Sequence, residues 1–186
     1  MSTSPTVLRV WMLVVILVAL SPAHTLNQQS ASPEARLKSL GLELPPAPKP
    51  IASYVPAVRT GNLVFLAGQG PMADGKPTIT GKVGAEVSEE QGNKAARATT
   101  LVLLAVLRAE LGSLDRVARI VKVVGFVNSA PGFTRQPWVM NGASDLLVEI
   151  FGEAGRHARS SVGVSELPLN IPVEIELVVE IKPDGR

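Results

Sequence analysis

The string His157-Ala158-Arg159-Ser160-Ser161-Val162-Gly163-Val164 sets one guanidinium among small residues that would let a ligand approach. A guanidinium fork and a carboxylate match in a two-point hydrogen bond, so Arg159 is a candidate carboxylate binder. The same spacing also fits a surface arginine in an ion pair. Further on, Glu174 and Glu176 alternate with apolar residues and share one face of a strand. Two carboxylates so placed could do acid–base work, or form a solvated strand face. His157 shares a face with Arg159 if the strand begins that early, which makes it a site-edge residue. Asn141, on a predicted helix, carries an amide that could bind a polar ligand or simply face water.

Other chemistries lack their residues. Gly68-Gln69-Gly70-Pro71 could offer backbone donors, but a lone glycine cluster is a weak signal, and no G-x-x-x-x-G-K-S/T phosphate loop is present. Ser160 and Ser161 have no evident His–Asp partners for a hydrolase triad. Cysteine is absent, which excludes disulfides, thiolate zinc sites, iron–sulfur clusters and cysteine nucleophiles. The two histidines, His24 and His157, cannot build a His-rich metal site within one chain.

These residues need a scaffold, and the apolar pattern supplies one. Runs at Tyr54–Arg59 and Leu63–Ala67 flank Thr60-Gly61-Asn62, which reads as a hairpin turn. Ser88–Leu111 is the clearest helix. Ser88 and Gln91 form a capping-box pattern, and Gly112 follows its end. Its face of Ala95, Ala98, Val102, Ala105 and Ala109 is expected to pack on a sheet. Val117–Val127 reads as a strand and Thr134–Phe151 as a second helix, with Pro137 in its first turn and Gly152 just beyond it. Arg159–Ser165 and Val173–Ile181 are the last strands. This order suits an α+β domain, a mixed β-sheet with two main helices packed on one face.

The 186 residues are enough for one ordinary domain, and 46% hydrophobic with 18% charged excludes a disordered chain. Residues 1–23 have the layout of a signal peptide or N-terminal anchor: a polar start with Arg9, the apolar run Val10–Leu20, and Ser21-Pro22-Ala23. That run is too short to span a bilayer comfortably. It predicts export to a periplasmic or extracellular location; with a misplaced start the chain would be cytoplasmic. Residues 24–52 read as an N-terminal extension with a short helix at Pro33–Leu40 and a Pro-rich stretch, and residues 53–183 as the domain proper. Net charge is +2 and aromatics number four Phe, two Trp and one Tyr, so the footprint of a nucleic-acid binder is missing.

Three strings carry a resemblance: residues 53–71 (S-Y-V-P-A-V-R-T-G-N-L-V-F-L-A-G-Q-G-P), residues 141–152 (N-G-A-S-D-L-L-V-E-I-F-G) and residues 156–181 with A-R-S, an L-P turn and V-E-I-E. With them the chain from about Leu37 to Pro183 resembles the YjgF/RidA family of reactive-intermediate deaminases, also called endoribonuclease L-PSP-like proteins. The branch it resembles is the YjgF/chorismate-mutase-like one. The resemblance implies a chorismate-mutase-like fold, a homotrimer with clefts between subunits, and hydrolysis of enamines and imines to 2-keto acids and ammonia without metal or organic cofactor.

Carried over residue by residue, it implies that Arg159 binds the substrate carboxylate and that Glu174 places or activates water. It implies cleft roles for Tyr54, Gly68, Asn141 and Ser161. Two positions depart from the family's usual residues: its cleft serine is Ala67 here, and its frequent cysteine after A-R-S is Ser161. Those departures keep open a second reading, a non-catalytic binder of small carboxylate metabolites. The family's other label, RNA cleavage, is a third.

Overall fold

The computed structural model describes residues 31–49 and 53–183. The expected export signal at residues 1–23 lies outside the described residues. Among those described, no helix is long and apolar enough to cross a membrane.

Helix α1 (Pro33–Ser39) opens the described chain, followed by the hairpin β1 (Ala57–Thr60) and β2 (Leu63–Gln69). A two-residue ribbon, β3 (Met72–Ala73) and β4 (Lys76–Pro77), leads to α2 (Glu89–Leu111). Then come β5 (Val117–Asn128), α3 (Gln136–Phe151), β6 (Ala158–Val164) and β7 (Val173–Ile181). The main sheet has five strands in the order β1-β2-β7-β5-β6. Only β5 and β6 run parallel, joined through α3; the other neighbours are antiparallel. The architecture is the α+β arrangement anticipated, a mixed sheet with α2 and α3 on one face.

Local chemistry accounts for most boundaries. The Ser88 side chain accepts from Gln91 N while the Gln91 side chain accepts from Ser88 N, and Gly112 closes α2 in the left-handed region. β1 begins later than the apolar run predicts, because Pro56 has no N–H to give a ladder. The β3–β4 ribbon was not anticipated; Asp74-Gly75, both at positive φ, is its turn and a known hairpin signal.

Of the expected packing face of α2, Ala95, Val102 and Ala105 are buried and the other two positions need correction. Ala98 and Ala109 are exposed, whereas Ala96, Thr99, Leu103, Val106 and Leu107 are buried. Leucine and valine side chains remove more apolar area from water than alanines do, so they decide which way the helix rolls. Leu37 of α1 joins this core, and Glu34 fastens the helix by accepting from the Arg108 guanidinium and from Leu114 N.

Two close approaches bring α3 to its place. A Cβ at Gly142 would overlap the Asn93 carbonyl of α2, and one at Gly125 would overlap the Met140 side chain. Gly142→Ala must therefore push two helices apart. We expect a loss of roughly 1–3 kcal/mol, read as a lowered midpoint in thermal or denaturant unfolding. An unchanged midpoint would show that the helix pair gives way without cost.

Candidate active site

The alternation along β7 sorts the sheet into two faces. Val173, Ile175, Leu177, Val179 and Ile181 are buried under the helices, while Glu174, Glu176, Val178 and Glu180 are only half-buried. Residues paired across a ladder point to the same side. Val123 of β5 pairs with Leu177 and with Arg159, and Gly125 pairs with Ile175 and Ser161. Arg159 and Ser161 therefore sit on the helix-covered face, at the edge strand β6. Phe126 pairs with Glu174 and with Val162, so Glu174 belongs to the other face, uncovered by helices among the described residues.

Around Arg159 the chain builds a polar nest from α3. Nη1 donates to Asn141 Oδ1 at 3.0 Å and to Ser144 Oγ at 2.9 Å, and Nη2 donates to the Pro137 carbonyl at 3.0 Å. Positions 137, 141 and 144 fall on one stripe of a helix, which is why three groups of α3 converge on one side chain. Both Nη1 protons are thus committed to the protein, and among the described residues nothing accepts from Nε. No carboxylate of the described residues forms an ion pair with this guanidinium. Burial lowers its pKa and the charge of Asp145 opposes that, but an arginine stays protonated. The Nε–Nη2 edge is a fork for two oxygens. Close by, the Ser161 hydroxyl is buried with no hydrogen-bond partner. A buried orphan hydroxyl is costly until something bonds to it.

His157 lies within the same nest, Nε2 being 3.0 Å from Ser144 Oγ and Nδ1 2.6 Å from the Gly155 carbonyl oxygen. Burial pulls this imidazole below its usual pKa and the charge of Arg159 adds to the shift, while the Gly155 bond opposes it. Ser144 and the Pro137 carbonyl were missed from sequence. The signal was available for Ser144, one turn beyond Asn141 on the same helical face.

The second cluster centres on Glu174. Burial pushes its carboxyl above the ordinary carboxylate range, and Glu176 on the same face adds to this. Gly68 lies in β2 at a register shift between Leu66 and Gln69, not in a loop. The Glu174 carboxylate rests against it, and a Cβ there would overlap Oε1. On the same uncovered face Lys122 donates to Ser160 Oγ at 3.1 Å. Val58, Phe65 and Val162 are exposed there.

Of the six expected site residues, the structure joins Arg159 with Asn141, with Ser161 on the same edge, and separately joins Glu174 with Gly68. Tyr54 is exposed ahead of β1, at the far edge of the sheet from β6. β7 is two strands from β6, or about 10 Å at ordinary strand spacing. With their side chains on opposite faces, Arg159 and Glu174 of one chain cannot both touch one small molecule. Among the described residues no group of three or more His, Asp or Glu is placed to hold a metal ion.

Residues 34–181 match the sequence pattern of the family described as "YjgF/chorismate mutase-like, putative endoribonuclease". Protein TCP17 of Trypanosoma cruzi is 46% identical over 148 residues, 79% of this chain and 92% of that protein. The 2-iminobutanoate/2-iminopropanoate deaminase of Dermatophagoides farinae is 33% identical over 142 residues, 76% of this chain and 95% of the relative. Among solved structures, the protein Atu1372 of Agrobacterium tumefaciens, of unknown function, is similar at a TM-score of 0.75 and 45% identity, over 81% of this chain and 92% of that one.

Proposed function

This chain belongs to the YjgF/chorismate mutase-like family, and on that premise we propose that it hydrolyses reactive 2-imino acids to 2-keto acids and ammonia. The observation that carries the reading is Arg159. It is a half-buried cation, anchored through Nη1 and Nη2 to α3, with its Nε edge uncommitted and, among the described residues, only the charge of Asp145 acting on it and no carboxylate in ion-pair contact. A small anion of matching geometry is what such a site lacks, and the relative from Dermatophagoides farinae acts on 2-imino acids by name.

In the proposed reaction Arg159 holds the substrate carboxylate and so fixes the neighbouring imine carbon. That carbon is electrophilic once its nitrogen is protonated. Water adds to it as the Glu174 carboxylate takes one of the water's protons, giving a tetrahedral carbinolamine. Glu174 then returns that proton to the nitrogen. The C–N bond breaks, ammonia leaves, and the remaining hydroxyl loses its proton as the keto group forms. A carboxyl with a raised pKa suits both halves of this exchange.

Because the two groups face opposite sides of the sheet in one chain, the working cleft would pair Arg159 of one copy with Glu174 of the next. The exposed Val162 in register with Glu174, and Val58 and Phe65 further along the same face, favour such a contact. A head-to-tail contact between different surfaces makes a ring when its rotation closes, and a homotrimer is the ring we propose.

The test generates 2-iminopropanoate in situ with an amino-acid-consuming enzyme and follows its loss. Acceleration by the native protein, removed in Glu174→Gln while pyruvate still binds, is the expected result. Pyruvate binding without acceleration in the native protein would overturn catalysis and leave a carboxylate binder.

Glu174 also gives a pH prediction. Its pKa is raised in the fold, so the native state favours the protonated form. Its favourable contribution is complete below the unfolded pKa and is lost as pH rises through the folded value. Glu174→Gln should thus raise the unfolding midpoint at neutral pH and not at pH about 4, where the carboxyl already carries its proton. In the native enzyme kcat/KM should fall on acidification at a pH above the usual carboxylate range. A Glu174→Gln midpoint unchanged at neutral pH would count against the buried carboxylate.

A further inference from the structure

We propose that Ser144 and His157 are positioning residues that hold the Arg159 guanidinium through a one-way chain of hydrogen bonds, and that carboxylate binding at Arg159 is coupled to protonation of the adjoining His157 through the guanidinium's charge. The proposal rests on the reading of Arg159 as the carboxylate holder.

The direction of the chain follows from what each atom can do. The Gly155 carbonyl only accepts, so His157 Nδ1, 2.6 Å away, carries the proton. In a neutral ring Nε2 is then bare and accepts from the Ser144 hydroxyl at 3.0 Å. That leaves the Ser144 oxygen to accept Nη1–H of Arg159 at 2.9 Å. Every group has one role, and the guanidinium is fixed on the side away from its Nε edge. Asn141 Oδ1 and the Pro137 carbonyl hold it from the same helix. Loss of the serine hydroxyl would remove one of three anchors and leave Nε2 without a donor.

Charged groups on the elements packed against His157 are Asp145 and Glu149 on α3, Arg119 and Lys122 on β5, Glu153 and Arg156 in the turn before β6, and Arg159 on β6. Glu149 is paired with Arg97, Glu153 with Arg156, and Lys122 bonds Ser160 on the other face. Arg159 is the charge that bears on the imidazole, in the same direction as burial. A carboxylate seated on Arg159 offsets that charge, so the imidazole takes up a proton on Nε2 more readily in the complex; Nε2–H then donates to Ser144 Oγ, which goes on accepting from Arg159 Nη1 while its own hydrogen turns away. By linkage, carboxylate binding tightens as pH falls through the His157 pKa.

The experiment follows the ring nitrogens of His157 by ¹⁵N NMR in the full chain, with His157→Gln to separate its signals from those of His24, and pyruvate as the probe. The Nδ1–H tautomer is expected, with a titration below the ordinary histidine range that moves upward when pyruvate is added. Ser144→Ala should weaken pyruvate binding by about three- to tenfold, and Ser144→Thr should restore it. His157→Gln, whose side-chain oxygen can accept from Ser144, should keep most of the affinity and lose its pH dependence. An Nε2–H tautomer, an affinity indifferent to Ser144→Ala, or a His157 titration that pyruvate does not move would each overturn the proposal. Arg159→Ala separates the two readings. If pyruvate binding survives there, the carboxylate site itself fails. If it is lost there while Ser144→Ala and pH leave affinity unchanged, only the coupling fails.

Discussion

Replacing Arg159 by Ala should lower kcat/KM for 2-iminopropanoate by about 10²- to 10³-fold, the usual loss when one partner of a desolvated, hydrogen-bonded charge pair is removed. Most of that loss should appear in KM if the guanidinium only binds, and in kcat as well if it also aligns the imine carbon. Arg159→Lys retains the charge but not the planar fork, and cannot reach Asn141, Ser144 and Pro137 together while presenting two donors to a carboxylate. It should recover little of the loss. Steady-state kinetics on imine generated in situ measures all three proteins, with circular dichroism to show that helix content is unchanged. Undiminished kcat/KM in Arg159→Ala would place the carboxylate elsewhere and remove the basis of the proposed function.

Mixing two inactive variants should restore activity. Arg159→Ala retains Glu174, and Glu174→Gln retains Arg159; each alone lacks half of every cleft. In the proposed ring a cleft takes Arg159 from one copy and Glu174 from its neighbour. A mixed trimer then holds one intact cleft whichever variant is in excess. Equal amounts, exchanged by mild denaturation and refolding, should regain about a quarter of the native activity by random assortment in a closed heterologous trimer. The measurement is imine loss before and after exchange, alongside the mass of the particle in solution. No recovery despite demonstrated exchange would mean that one copy supplies both groups, which the single-chain geometry does not allow without rearranging the sheet. A monomer that is active by itself would have the same consequence.

How far the sequence reached can be traced through particular residues. The alternation Val173–Ile181 placed β7 and showed which of its side chains face the core, because a strand's period is two. Ser88, Gln91 and Gly112 bounded α2, because capping chemistry is local. The small residues around Arg159 and the helical amide of Asn141 marked one half of the candidate site, and Arg159 donates to Asn141 at 3.0 Å. The packing face of α2 was legible only in part: Ala95, Val102 and Ala105 are buried, but Ala98 and Ala109 are not, since alanines compete poorly with leucine and valine for burial.

What the sequence determined by itself was the strands of the main sheet and the helices, their order, and the residue types able to hold a carboxylate and move a proton. Only the tertiary structure decided that Arg159 and Glu174 look out from opposite faces. Facing is set by the register between strands, here Val123 with Arg159 and Phe126 with Glu174, and a slip of one residue would reverse it. Nor does a linear reading reveal that Ser144 joins Arg159 to His157. That link depends on how closely α3 descends on the sheet, and its depth is set by contacts over Gly142 and Gly125 that lie far apart in the chain.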